Sequence, residues 1–324
     1  MTREINARIS VTEPVGRAIE EVKTILFRPF SLEKWLIIGF CAWLAYLGGS
    51  GGGPGGGGGG GGRQHNNDWS EAGKVMTQAK DFVINNLNWI IPVACIGITV
   101  VILLWFVLLW LRSRGQFMFL HCVAQNKAEV QIPWTKYGPH GNSLFLFRIA
   151  FGLISFVVVV LYILIAGLCI FALAAGSSQG LKIVTVIGLI FGVLGFILLI
   201  IAIALVKKFM LDFVVPIMFL RATSCVAAWR EFLHILSARK GAFFLYILFQ
   251  MVIGIAISAL FLTVALVTCC CACCFLAIPY IGTVFMLPVL VFKRAYSLHY
   301  LRQFGSDFDV FSPKMEPNEN IAAL

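Results

Sequence analysis

The sequence predicts an all-α membrane protein, a polytopic helical bundle whose six transmembrane helices form three like-oriented hairpins accompanied by interfacial amphipathic helices. Three observations lead to that reading. Hydrophobic residues make up 60% of the 324-residue chain and charged residues 12%, whereas a soluble protein is about half apolar and about a quarter charged. So few charges cannot cover that much apolar surface in water, and the bilayer has to act as part of the solvent. Between Trp89 and Lys293 the chain is mostly long apolar blocks, and lysine and arginine gather at every second gap between them. That alternation belongs to loops on one side of a membrane. The length leaves room for one membrane domain at 32–306, between a cytoplasmic N-terminus at 1–31 and a flexible cytoplasmic tail at 307–324.

Residues 10–28 read as an amphipathic helix. Val15, Ala18, Ile19, Val22, Ile25 and Leu26 recur at spacings of three and four, while Arg17, Glu20, Glu21, Lys23, Thr24 and Arg28 occupy the other face. Ser10 with Glu13 has the form of a capping box, Pro14 suits a first helical turn and Pro29 ends the segment. A helix of this kind is expected to lie in the cytoplasmic interface, with Arg17, Lys23 and Arg28 facing anionic lipid. Packing of its apolar face into a protein core is the alternative. No apolar core precedes a small-residue cleavage site, so no removable signal peptide is expected.

The first span is placed at 32–47, short against the ~20 residues that cross hydrocarbon, with Glu33 and Lys34 snorkelling to the interface. Thirteen glycines follow in the 15 residues of 48–62. Phosphate cradles need a strand, spaced glycines and usually a Lys-Ser/Thr pair opening a helix, and none is present, so the run reads as a flexible exterior linker. A short polar helix outside the membrane is expected from Asp68 to about Asn86. The remaining spans are placed at 89–111, 144–175, 181–206, 242–267 and 275–292. With six spans, 21 of the 25 Lys and Arg fall on one side and four on the other, which puts both termini in the cytoplasm. The net charge of +10 therefore marks membrane flanks and not a nucleic-acid partner.

The chain also carries signs of an internal repeat. Pro216 is followed by IMFLRATS and Pro288 by VLVFKRAYS, so that Arg221-Ala222-Thr223-Ser224 matches Arg294-Ala295-Tyr296-Ser297. Shifting the N-terminal apolar face by 210 residues lands on Cys225, Ala228, Trp229, Phe232, Ile235 and Leu236, with Glu21 on Glu231. Three copies of one unit follow: an interfacial helix, a span outward, a loop and a span back. Trp229 and Arg230 are then interface residues of the third copy. The middle connector at 121–142 is the most degraded, with Pro133 and Pro139 interrupting any helix.

Three like-oriented hairpins are also the layout of mitochondrial carriers, but the proline–acid–base motif of that family is absent, since Pro29 is followed two residues later by Ser31. The proline-to-helix segments at 216–240 and 288–304, and the layout over nearly the whole chain, resemble bacterial six-span inner-membrane proteins without an assigned activity. These include relatives of the membrane-anchoring domain of glycerophosphodiester phosphodiesterases. The resemblance implies a bacterial cytoplasmic membrane and does not extend to the phosphodiesterase barrel, for which no soluble stretch is long enough.

No acidic or basic residue lies deep in a predicted span, as ion-driven transport usually requires. Asp212 is expected to pair with a basic neighbour one helical turn away, and Gln250 to make a helix–helix hydrogen bond. Cys269, Cys270, Cys271, Cys273 and Cys274 contain two C-x-x-C pairs, which makes Cys270, Cys273 and Cys274 weak metal candidates. With no histidine or charge beside them to activate a thiol, they read as apolar filler, with an exterior disulfide as the alternative. His121, His140, His234 and His299 are assigned surface or capping roles, and Glu231 with His234 lacks the rest of a zincin pattern. The functional expectation is a non-enzymatic protein without metal or cofactor, in a structural, assembly or lipid-interacting role, with a homo-oligomer compatible. A transporter or channel for a weakly polar or lipidic solute is the alternative.

Overall fold

The computed structural model describes residues 9–47, 87–175, 179–268 and 278–311, and every regular element among them is helical. The glycine-rich run, the polar helix expected near 68–86, the cysteine run and the tail from residue 312 onward lie outside the described residues. In chain order the helices are α1 (Glu13–Leu26), α2 (Leu32–Tyr46), α3 (Leu87–Gln125), α4 (Gln131–Lys136), α5 (Gly138–Ala175) and α6 (Gln179–Phe209). A π-helical turn (Met210–Val214) joins α6 to α7 (Val215–Arg221), followed by α8 (Cys225–Ala238) and α9 (Lys240–Val267). Helices α10 (Pro279–Phe285) and α11 (Leu287–Arg302) close the order, with a 3-10 turn at Ser306–Phe308.

Four segments are long and apolar enough to cross a bilayer: Ile91–Gln125, Gly138–Phe171, Val186–Arg221 and Lys240–Val267. Together with the composition they make this a membrane protein. None of their most apolar windows contains a buried residue. Exposed rows such as Ile98, Val101 and Trp105 on α3, or Val252, Ile255 and Leu262 on α9, are therefore turned towards hydrocarbon. Helices α5 and α6 form a hairpin in which the Tyr162 hydroxyl donates to the Gly192 carbonyl at 2.7 Å.

The same helices continue beyond these windows into a packed head. Helix α3 runs 14 residues past the expected end of its span, and α6 extends through the π turn into α7. Helix α2 runs antiparallel along the last part of α3. Gln116 donates to the Ala45 carbonyl, Cys122 Sγ lies 3.8 Å from Cys41 Sγ, and Lys34 donates to Asn126 at 2.7 Å. At 15 residues α2 is about 22 Å long, less than the ~30 Å hydrocarbon core. Helices α10 and α11 pack on α2 and α1.

The amphipathic face of α1 packs on protein. Ala18, Ile25 and Leu26 have no exposed surface and face α11, because a neighbouring helix offers these side chains tighter contact than a lipid surface. Only Ile19 of that face is largely exposed. The Ser10 hydroxyl accepts the Glu13 backbone N–H at 3.2 Å, while the Glu13 carboxylate turns outward to Arg17 at 2.7 Å and leaves the reciprocal half of the capping box unmade. Pro133 and Pro139 lie in the opening turns of α4 and α5, where a missing N–H costs nothing, so neither breaks its helix; the connector is irregular at 126–130. The corner is clasped by Arg114, whose guanidinium carbon sits 4.4 Å and 4.9 Å from the rings of Trp110 and Trp134.

Gly115 makes the α2–α3 contact possible. A Cβ there would stand 2.6 Å from the Leu44 carbonyl carbon and 2.7 Å from the Ala45 nitrogen, both backbone atoms that cannot swing aside. Gly115→Ala is expected to destabilise the head by about 1–3 kcal/mol, whereas Gly97→Ala, in open space, leaves stability unchanged. Denaturation of the two purified variants in the same detergent measures the difference, and equal midpoints would count against this packing.

Candidate functional site

The polar centre of the molecule lies where the four apolar windows enter the head, and its geometry starts from a proline. Pro216 has no backbone N–H. In the π turn Val215 N–H bonds to the Met210 carbonyl, so the next carbonyl, Leu211, is left without its helical donor. Arg294 of α11 supplies one through Nη1. The same turn directs Asp212 at α9, where its Oδ2 accepts the Tyr246 hydroxyl at 2.9 Å and pairs with Lys208 Nζ at 2.9 Å. The expected ion pair one turn away is thus present. Gln250 donates at 3.1 Å to the hydroxyl of Tyr246 on its own helix, and it is Tyr246 that carries the interhelical bond.

An aromatic stack surrounds this centre. Tyr246 lies 5.7 Å from Tyr296 and 4.6 Å from Tyr300, both on α11. The Tyr296 hydroxyl donates to the Val11 carbonyl at 3.0 Å and the Tyr300 hydroxyl to the Ala242 carbonyl at 2.8 Å. Burial pushes both phenols up, so they serve as fixed donors at neutral pH. Phe209, Phe213, Phe232 and Phe243 pack beside them and bring α8 against the π turn.

Cations dominate the charge balance. Arg294 is 5% exposed, and its Nε and Nη2 have no hydrogen-bond partner among the described residues. Tyr46 lies in the electrostatic reach of both Arg294 and Arg112. Arg112 is within electrostatic reach of Arg148, which donates to Ser113 at 3.1 Å. Lys293 faces Lys208 and Asp212. An excess of cations of this kind attracts anions. Among the described residues no three His, Cys, Asp or Glu side chains converge as metal ligands.

The residues singled out from the sequence do not converge. Arg17 and Lys23 are exposed and paired with Glu13 and Glu20, and Arg28 is exposed on the turn after α1. Trp229 packs inward on Phe147 and Phe232, because the apolar face of α8 covers the π turn, while Arg230 points out. Cys270, Cys273 and Cys274 lie outside the described residues. The matching stretches of the repeat differ in conformation: Ala222 is left-handed at the end of α7 and Ser224 caps α8, but Ala295 and Ser297 lie inside α11.

Two of the four histidines assigned to the surface are buried. His121 is 2% exposed, with Nε2 3.9 Å from Glu129. His299 is 5% exposed, stacks on Phe311 and has Nε2 3.8 Å from Glu21. Burial, with Arg17 and Arg302 nearby, brings His299 down to about 4 against the opposing pull of Asp309, and burial raises Glu21.

The chain belongs to a family of unknown function, DUF7544, whose sequence signature matches residues 9–287. No curated protein and no solved structure matches it significantly.

Two outcomes test this geometry. Tyr246→Phe removes a hydroxyl that both donates to Asp212 and accepts from Gln250, and is expected to cost about 1–2 kcal/mol. The cost should shrink when Asp212 is already Asn, and additive losses in a double-mutant cycle would show that the bond carries no energy. The second concerns acid. The unfolded chain protonates His299 near its ordinary value while the folded chain does not until about pH 4, so stability falls as pH drops through that window. Glu21, raised by burial, opposes this in part. The melting midpoint should fall between pH 6.5 and 4.5, and His299→Gln should flatten that slope. An unchanged slope in the variant would rule out His299 as its source.

Proposed function

We propose that this member of a family of unknown function is a non-enzymatic, multi-pass protein of a bacterial cytoplasmic membrane, in a structural, assembly or lipid-interacting role. The observation that carries this reading is the contrast between four unburied apolar windows and the packed, cation-rich head into which they converge. Spans that enclose a solute path pack against one another. Here the windows leave their surfaces to lipid, or to another protein in the bilayer. The excess of lysine and arginine at the head supports a cytoplasmic head with both termini on that side.

Six crossings remain the proposed topology. The alternation of basic loops supports two crossings besides the four long helices, the first proposed at 32–47 and the last at 275–292. The transporter alternative draws on one feature, a groove of about 490 Å³ between α5 and α6 lined by Tyr162, Ala166, Cys169, Gly188, Gly192 and Phe196. Its apolar wall suits a lipid chain better than a polar solute.

Reporter fusions after Lys136, Lys240 and Leu324 are expected to report the cytoplasm, and fusions after Gly62 and Gly180 the exterior. An exterior signal at Lys240 or at the C-terminus would sink the arrangement. Flux of a small apolar or weakly polar solute through reconstituted protein, absent from empty vesicles, would favour the transporter.

A further inference from the structure

We infer that the basic layer at the foot of the long helices binds a phosphate group presented by the headgroup of an anionic lipid, an assignment that rests on the lipid-interacting reading above. Five cationic side chains belong to this layer: Lys208 pairs with Asp212, Lys293 and Arg294 lie close to the same carboxylate, and Arg112, near Tyr46, has Arg148 as its neighbour. That carboxylate is already shared by Lys208 and Tyr246. Like charges lie within electrostatic reach of each other twice, Lys208 with Lys293 and Arg112 with Arg148, and each pair repels. Behind the lysines stands Arg294, 5% exposed, with Nε and Nη2 lacking any acceptor among the described residues, and Arg112 Nε is likewise enclosed without one.

Charge of this kind held out of water is costly unless a counter-charge comes to it. Among the described residues Asp212 is the carboxylate that lies beside these cations, which leaves room for an anion from outside. Its source follows from depth. The layer lies where the exposed apolar windows end, and on a membrane helix that is where lipid headgroups sit. Lys208, with 35% of its side chain exposed, and the half-buried Lys293 form the rim that touches the phosphate as mobile donors. Arg294 and Arg112 stay enclosed behind them and add attraction through a medium that screens little. Because Arg294 also holds the Leu211 carbonyl, the cationic field is tied to the π turn and does not fluctuate with a free side chain.

The full-length protein in lipid nanodiscs tests this. Thermal midpoints are measured in phosphatidylcholine alone, in phosphatidylcholine with phosphatidylglycerol, and in phosphatidylcholine with inorganic phosphate in solution. The wild type is expected to gain several degrees from phosphatidylglycerol, and the paired variant Lys208→Gln with Lys293→Gln to lose most of that gain and bind the lipid roughly tenfold or more weakly. Neither lysine is fully buried, so this variant should fold. Arg294→Gln is the companion, read only if it retains its helical spectrum. A control with Arg17→Gln and Lys23→Gln on α1 should keep the gain. If the lysine variant keeps the full gain and the α1 control loses it, the lipid reading stands and the site is wrong. A gain from inorganic phosphate equal to that from phosphatidylglycerol would overturn the lipid assignment in favour of a free anion. No gain for the wild type from any addition overturns both the site and the broader reading.

Discussion

Pro216 removes one N–H from a helix, and the structure around it follows from where the orphaned carbonyl finds a donor. An unpaired carbonyl in a water-poor environment is costly, and in this protein the nearest supply is Arg294 on the last helix. That contact draws α11 against the π turn. With α11 come Tyr296 and Tyr300, which bond the N-terminal segment and the start of α9. The π turn also widens the helix where Asp212 must reach across to Tyr246. One missing hydrogen therefore links residues some eighty positions apart, and α6, α9, α11 and α1 meet at a single place.

The packed head and the exposed windows answer to different solvents. In the head, apolar side chains exclude water by packing on one another, and Gly115 permits backbone contact between α2 and α3. In the windows hydrocarbon is the solvent, there is no hydrophobic drive for helix to meet helix, and side chains remain uncovered along their length. The boundary between the two regimes is where the cations collect. Charge is costly to bury, and Arg294 offsets part of that cost by holding the Leu211 carbonyl.

Much of the architecture was legible in order along the chain. Period-3.6 patterning located α1 and α8, and apolar runs located the four long helices to within a few residues at the ends away from the head. Their head-side ends were missed by as much as 14 residues, because residues 112–125 carry the charges and polar groups of a loop while folding as a continuation of α3. The pairing of Asp212 with Lys208 was readable from their spacing of four. Arg294 was not, since its local sequence matches Arg221, which is exposed and paired with Glu231. The signals that bore on the site were Pro216 four residues after Asp212, and tyrosines at 296 and 300 on one face of a helix.

By itself the sequence determined the solvent and the helical class, because each depends on composition and on spacings of a few residues. Only the tertiary structure decided what each amphipathic face covers. An apolar stripe such as that of α1 suits lipid or protein alike, and nothing within its 14 residues names the partner that covers it. It likewise decided that α2 lies beside the head-side end of α3, and that two arginines with matching neighbours, 221 and 294, have opposite fates. Burial is a property of what arrives from elsewhere in the chain, and that information is not local.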